Sequence, residues 1–187
     1  MPLLHPLWLA IDLFAALILI RGAIGKARDL AAFEGALDGY RLLPFWSLPA
    51  AKFGFPIVEA IIAAGLLIPP LRALAGYAAA GLLSLFAVAM AINLARGRRE
   101  IDCGCGGPDS RQTLGWGLVV RNLAIAIALI AAALLAGPDI VWSAVPLAVV
   151  AAGSAFLLYL GLETLAALPR RAGPKQGLLE MTHGGVA

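Results

Sequence analysis

The chain has 187 residues, 61% of them hydrophobic and 13% charged, with a formal net charge of +3. A mean hydropathy of +0.92 excludes an ordinary soluble globular domain and points to an integral membrane protein built as one membrane domain. Lys and Arg lie between apolar runs rather than in a basic patch, which speaks against a nucleic-acid surface.

A membrane crossing needs about 20 mostly apolar residues. The first run is 7–24, interrupted by Asp12 and Arg21. No Lys or Arg precedes it, so it lacks the basic start of a secretory signal and reads as a retained helix. In the linker that follows, Leu30, Phe33, Leu37 and Tyr40 recur at helical spacing, with Arg28, Asp29, Glu34, Asp38 and Arg41 off that stripe. This pattern predicts a helix lying in the membrane interface; a short helix on the end of the bundle is the alternative. The remaining spans are 53–68, begun by Pro56, then 73–95, 118–136 and 140–162. Gly76, Ala80 and Ser84 in the third would let another helix approach closely. The expected fold is all-α: a polytopic membrane helix bundle over 1–168, of about five transmembrane helices with an interfacial helix after the first. Residues 169–187 read as a flexible polar tail.

Five spans put the two termini on opposite sides. Eleven Lys and Arg, from Lys26 to Lys175, then fall in the links and tail of one side, against Arg72 alone on the other. The positive-inside rule assigns the richer side, which carries the link between the third and fourth spans, to the cytoplasm. The placement expected is a bacterial inner membrane.

That link holds the only two cysteines, in the run Ile101-Asp102-Cys103-Gly104-Cys105-Gly106-Gly107. Thiol–disulfide exchange needs a thiolate, an accessible sulfur and a partner sulfur. Residues two apart fall within the usual Cα separation of a bridge, and Gly104 lets the backbone bend between them. So small a ring would be strained, hence easily reduced and a ready oxidant. Arg98 and Arg99 favour a thiolate whereas Glu100 and Asp102 oppose it. Other readings are inert small residues and a pair of soft ligands for Cu(I). Zinc wants four ligands, and His5 and His183 offer no ligand spacing, so no metal site is assigned. With one cysteine pair, the chain cannot relay electrons between two pairs of its own. It must pass them to another protein or to a quinone, which is the one cofactor left open.

A second group of residues is polar within or at the ends of the spans: Arg21, Glu59, Asn93, Arg121, Asn122 and Glu163. Because the spans alternate in direction, all six fall toward the face that carries the cysteines. Charges in a bilayer are costly and face the bundle interior in pairs, so Arg21–Glu59 or Glu59–Arg121 is the expected buried pair. The group serves either as a polar pocket beneath the dithiol, for a quinone head group or a partner's loop, or as ion pairing that locks the helices.

The run 33–44 (Phe-Glu-Gly-Ala-Leu-Asp-Gly-Tyr-Arg-Leu-Leu-Pro), Pro56 with Glu59, 93–98 (Asn-Leu-Ala-Arg-Gly-Arg), 101–105 and Val120-Arg121-Asn122 together resemble the methylamine utilisation protein MauE family, which is related to DoxX-type redox-associated membrane proteins. The resemblance covers roughly residues 8–136. It implies a multi-pass membrane protein that helps mature methylamine dehydrogenase. The family acts with a thioredoxin-like partner, MauD, in forming disulfides of the quinone-bearing small subunit, and another secreted client is open. On that resemblance Cys103 and Cys105 are the redox pair of a thiol–disulfide oxidoreductase. Arg21, Glu59, Asn93, Arg121 and Asn122 would then support it. This role needs the cysteines on the outer face, opposite to the charge count. The alternatives are a soft-metal transporter or metallochaperone and a non-catalytic assembly scaffold.

Overall fold

A computed structural model describes residues 5–99, 101, 114–135 and 141–167. Both cysteines and the polar tail lie outside the described residues. Among these residues six α-helices follow in order: α1 His5–Arg28, α2 Leu30–Tyr40, α3 Leu48–Leu67, α4 Arg72–Ala95, α5 Trp116–Leu135 and α6 Val145–Ala167. There is no strand among the described residues. All but α2 are long and apolar enough to cross a membrane. At 1.5 Å per residue, the 24 residues of α1 reach about 36 Å, enough for a bilayer core.

The boundaries differ from the sequence reading in two places that matter. α1 runs to Arg28 rather than ending near residue 24, which brings Lys26 into the helix. It stops at Asp29, whose side chain accepts the Ala32 N–H at 2.8 Å and caps α2. The second span begins much earlier than 53: Phe45–Ser47 form a 3₁₀ turn that leads into α3. Pro56 therefore lies inside that helix rather than at its start. A proline removes one i→i−4 bond, and packing of α3 on α1 and α4 holds the helix together across it. The second span is thus long enough to cross fully.

Small residues set how closely the helices pack. Ala15 and Ala16 of α1, Ala63 of α3, and Ala75, Ala79 and Ala80 of α4 are buried in one core with Leu19, Leu66 and Leu129. Gly76 is buried where a Cβ would come within 3.4 Å of the Ala133 Cβ, so α4 and α5 approach as the small-residue stripe predicts. α6 packs on α1 through Ala148 and Ala152 against Ala10. Its Leu147, Val150, Leu157, Leu158 and Leu162 face outward, an arrangement suited to lipid. Trp8 and Trp142 stand at one end of the bundle and Trp46 and Trp116 at the other, as expected of aromatic side chains at the two interfaces.

α2 packs chiefly on α3, with Phe33 buried and edge-on to Phe55 at 6.3 Å. Leu30, Leu37 and Tyr40 are partly buried beside it, so the apolar stripe is the inward face. The helix ends on Arg41, whose φ of 49° is left-handed and whose N–H donates to the Asp38 carbonyl.

Candidate functional site

The site is the end of the bundle where α1, α3, α4, α5 and α6 bring their polar residues together. Cys103 and Cys105 lie outside the described residues, but the two ends of the link that carries them are defined. The Leu114 N–H donates to the Ile101 carbonyl at 3.2 Å, and Leu114 is buried. Ile101 packs against the same buried cluster as Tyr40 and Ala91, and a Cβ on Gly39 would come within 3.3 Å of it. The chain therefore leaves the bundle beside the end of α2 at Ile101 and re-enters it at Leu114.

Asn93 prepares that exit. It is fully buried, donates from Nδ2 to the Ala89 carbonyl at 3.1 Å and accepts from the Arg98 guanidinium at 3.3 Å. Its own carbonyl accepts the Arg98 N–H at 3.0 Å. Gly97, at φ +76°, supplies the left-handed turn that closes the helix. Asn93 thus ties the last turn of α4 to the first residues of the link.

Glu59 is buried and paired, but not with Arg21 or Arg121 as the sequence reading expects. Its carboxylate accepts from Lys26 Nζ at 2.7 and 2.9 Å, and the two side chains are 3% and 5% exposed. Gly22, one turn before Lys26, makes room: a Cβ there would lie 3.3 Å from Nζ and 3.5 Å from both carboxylate oxygens. The miss has a plain origin. With the first span ended near 24, Lys26 counts as a link residue. An extra turn of helix places it on the face toward α3.

Arg21 instead pairs with Glu163 on α6. Glu163 also accepts from Arg121 at 3.2 Å and from the Tyr159 hydroxyl. Arg121 further donates to the Tyr159 hydroxyl at 3.0 Å and lies over its ring at 5.2 Å, while two of its nitrogens reach Asn122 Oδ1 at 3.4 and 3.3 Å. Three helices are joined through one carboxylate. Tyr159 is the member that sequence reading missed; the signal was its place one turn before Glu163.

The six expected residues therefore share one end of the bundle, as the alternation of spans requires, but they sort into three groups rather than a single polar pocket. The other end has its own buried pair: Asp12 accepts from Arg72 at 2.6 and 3.0 Å. That pair neutralises the one cation assigned to that side. Among the described residues, every buried side-chain N or O has a partner, and no three His, Cys, Asp or Glu gather as a metal site.

What opens at the cysteine end is an apolar cleft of about 160 Å³ between α2 and α4. Phe33, Leu37, Tyr40, Phe55, Phe86 and Met90 form its walls, and among the described residues Lys26 is the one charged residue of the lining.

Five apolar crossings and paired intramembrane charges define a multi-pass membrane protein of the helix-bundle class. The sequence model for "Methylamine utilisation protein MauE" matches residues 4–137, and the chain belongs to that family. It is 39% identical over 164 residues to methylamine utilization protein MauE of Paracoccus denitrificans, covering 87% of this chain and 88% of that one. It is 40% identical over 172 residues to the MauE of Paracoccus versutus, covering 91% of each. The MauE of Methylophilus methylotrophus is 45% identical over 117 residues, 62% of this chain and 61% of that one. No solved structure matches the chain.

Proposed function

We propose that the chain is a membrane thiol–disulfide exchange protein of the bacterial inner membrane, with Cys103 and Cys105 as its redox pair. Its role is to assist disulfide formation in methylamine dehydrogenase or a similar secreted, disulfide-rich subunit, working with a thioredoxin-like partner. One observation carries this reading: the only two cysteines are separated by a single glycine, in a link whose stem is closed by the Leu114-to-Ile101 bond, in a chain of the MauE family. Exchange proceeds when a thiolate of one cysteine attacks a disulfide sulfur of the partner, giving a mixed disulfide that the second cysteine resolves. Asn93 ties the end of α4 to the link, and Arg21, Glu59, Arg121 and Asn122 brace the helices at that end of the bundle. Their part in this reading is support.

The test is to trap the mixed disulfide. In cells making the partner and the client, Cys103→Ser and Cys105→Ser are expected to differ: one holds a reducible adduct with a thioredoxin-like protein, and the double variant holds none. If neither single variant yields an adduct and the double variant still supports mature methylamine dehydrogenase, the cysteines are dispensable and the chain is a scaffold. Orientation is tested separately. A secreted client requires labelling of the reduced cysteines by a membrane-impermeant thiol reagent in intact cells. Labelling only after lysis would uphold the charge count and overturn the secreted-client role.

A further inference from the structure

The cleft between α2 and α4 has a composition that ion pairing alone does not explain. Lys26 Nζ gives two N–H bonds to Glu59, at 2.7 and 2.9 Å, but its third direction meets only the Gly22 carbonyl at 3.4 Å. That is beyond the usual 2.7–3.2 Å of an N–H···O bond. Lys26, a buried residue of the cleft lining, makes its longest hydrogen bond to the Gly22 carbonyl, and that donor suits an uncharged acceptor oxygen. The rest of the lining is aromatic. Phe33 stands edge-on to Phe55 at 6.3 Å, and Phe55 is tilted on Phe86 at 5.6 Å. Lys26 Nζ lies 5.6 and 5.5 Å from the Phe33 and Phe86 ring centres. The volume, about 160 Å³, is that of a cavity able to take one six-membered ring, since cavities of about 150 Å³ bind benzene. At the mouth, Leu42, Leu43 and Leu85 are exposed, an apolar rim suited to the passage of an apolar ligand.

We propose that this cleft binds the ring of a membrane quinone, a flat carbonyl-bearing ring on an apolar tail. One carbonyl oxygen accepts from Lys26 Nζ, the ring lies among Phe33, Phe55 and Phe86, and the tail leaves past Leu43 and Leu85 into the bilayer. A saturated lipid acyl chain would fill the same volume but use neither the aromatic walls nor a ring-borne carbonyl. The binding stands on the cleft alone; its purpose rests on the thiol-exchange reading. With a single cysteine pair, each turnover that oxidises a client leaves a dithiol. Its two S–H bonds break, one S–S bond forms, and the two electrons and two protons pass to the quinone oxygens to give the quinol.

The experiment uses the full chain in nanodiscs of defined, quinone-free phospholipid, with an azido-benzoquinone carrying a decyl tail as photolabel. Saturable labelling is expected within residues 33–43 and 85–90. It should be displaced by decyl-benzoquinone and not by methyl decanoate, which has a tail and an ester carbonyl but no ring. Ala89→Phe, which fills the cleft, should weaken labelling at least about tenfold, with Ala36→Leu as a second filling variant if the first does not fold. The double variant Lys26→Met/Glu59→Leu, which removes the donor without stranding its partner, should weaken it by about tenfold, the size of one hydrogen bond to a charged group. Displacement by methyl decanoate as readily as by the quinone would make the cleft a lipid site. Undiminished labelling in both filling variants, or labelling elsewhere, would also overturn the proposal. Cys103→Ser/Cys105→Ser should label as the parent does. The filling variants keep both cysteines and should lose labelling, while a Cys103→Ser or Cys105→Ser single variant still traps a mixed disulfide. Labelling intact with no adduct from either single variant would overturn the thiol reading alone, and adducts intact with no labelling in the parent would overturn the cleft alone.

Discussion

Two charged sites at the same end of the bundle are built on opposite plans. Lys26 and Glu59 form a closed pair, one cation to one anion, almost wholly removed from the surface. Glu163 receives two arginines and a tyrosine, and Arg21 and Arg121 keep 34% and 22% of their side-chain surface. The first site is electrically balanced and binds α1 to α3. The second carries one surplus positive charge, joins α1, α5 and α6, and leaves its arginines able to reach toward the interface along their apolar stems. The difference teaches that intramembrane charges at one end of a bundle need not make one network. Position along the helix and the face it presents together decide which partner a side chain meets.

Breaking the closed pair should have the largest effect. Glu59→Gln strands Lys26 in an apolar setting and is expected to destabilise the bundle by about 3–5 kcal/mol, whereas Lys26→Met/Glu59→Leu restores most of that loss. Thermal unfolding in a mild detergent reads both. A double variant as unstable as the summed singles would show that the two residues do not act as a pair.

Glu163→Gln should cost less, about 1–3 kcal/mol, because its arginines keep access to polar surroundings and the Tyr159 hydroxyl can still donate to the amide oxygen. The same unfolding measurement ranks it below Glu59→Gln, and the reverse order would undo the contrast between a closed and an open site.

Within the open site, Arg121→Gln should weaken the bundle more than Arg21→Gln. Arg121 holds Tyr159, Asn122 and Glu163 together, while the more exposed Arg21 is described only against Glu163. The Arg21 contribution should also shrink as salt is raised, since exposed charges are screened. Equal losses in both variants, unmoved by salt, would place Arg21 in the same buried network as Arg121.

The smallest effect is expected from Lys52→Gln. Lys52 meets Glu34 at 2.7 Å between α3 and α2, but both keep a fifth or more of their side-chain surface, and such pairs contribute about 0–1 kcal/mol. A loss well above that would mean that α2 is held to α3 by charge rather than by Phe33.

Much of this was legible in the sequence. Apolar runs of crossing length are dictated by the bilayer, which leaves a buried backbone no partner but its own helix; five spans and the alternation of their ends follow at once. The stripe Leu30, Phe33, Leu37, Tyr40 foretold α2, and the small residues Gly76, Ala80 and Ser84 foretold the close approach of another helix, which α5 makes at Gly76. The cysteine pair and the family pattern around it were likewise plain in the residues. Pairing was not. Whether Glu59 meets Arg21, Lys26 or Arg121 depends on where α1 ends and how it is rotated about its axis, and one turn of helix moves a side chain by a full pitch of 5.4 Å. The cleft was hidden for the same reason. Phe33, Phe55 and Phe86 lie on three helices, and only the packing of α2 across α3 and α4 sets their rings around Lys26. Sequence by itself determined which segments enter the membrane, because that is a property of each segment's own composition. The tertiary structure decided which charges neutralise one another and where a cavity remains, because those depend on the relative rotation of helices far apart in the chain.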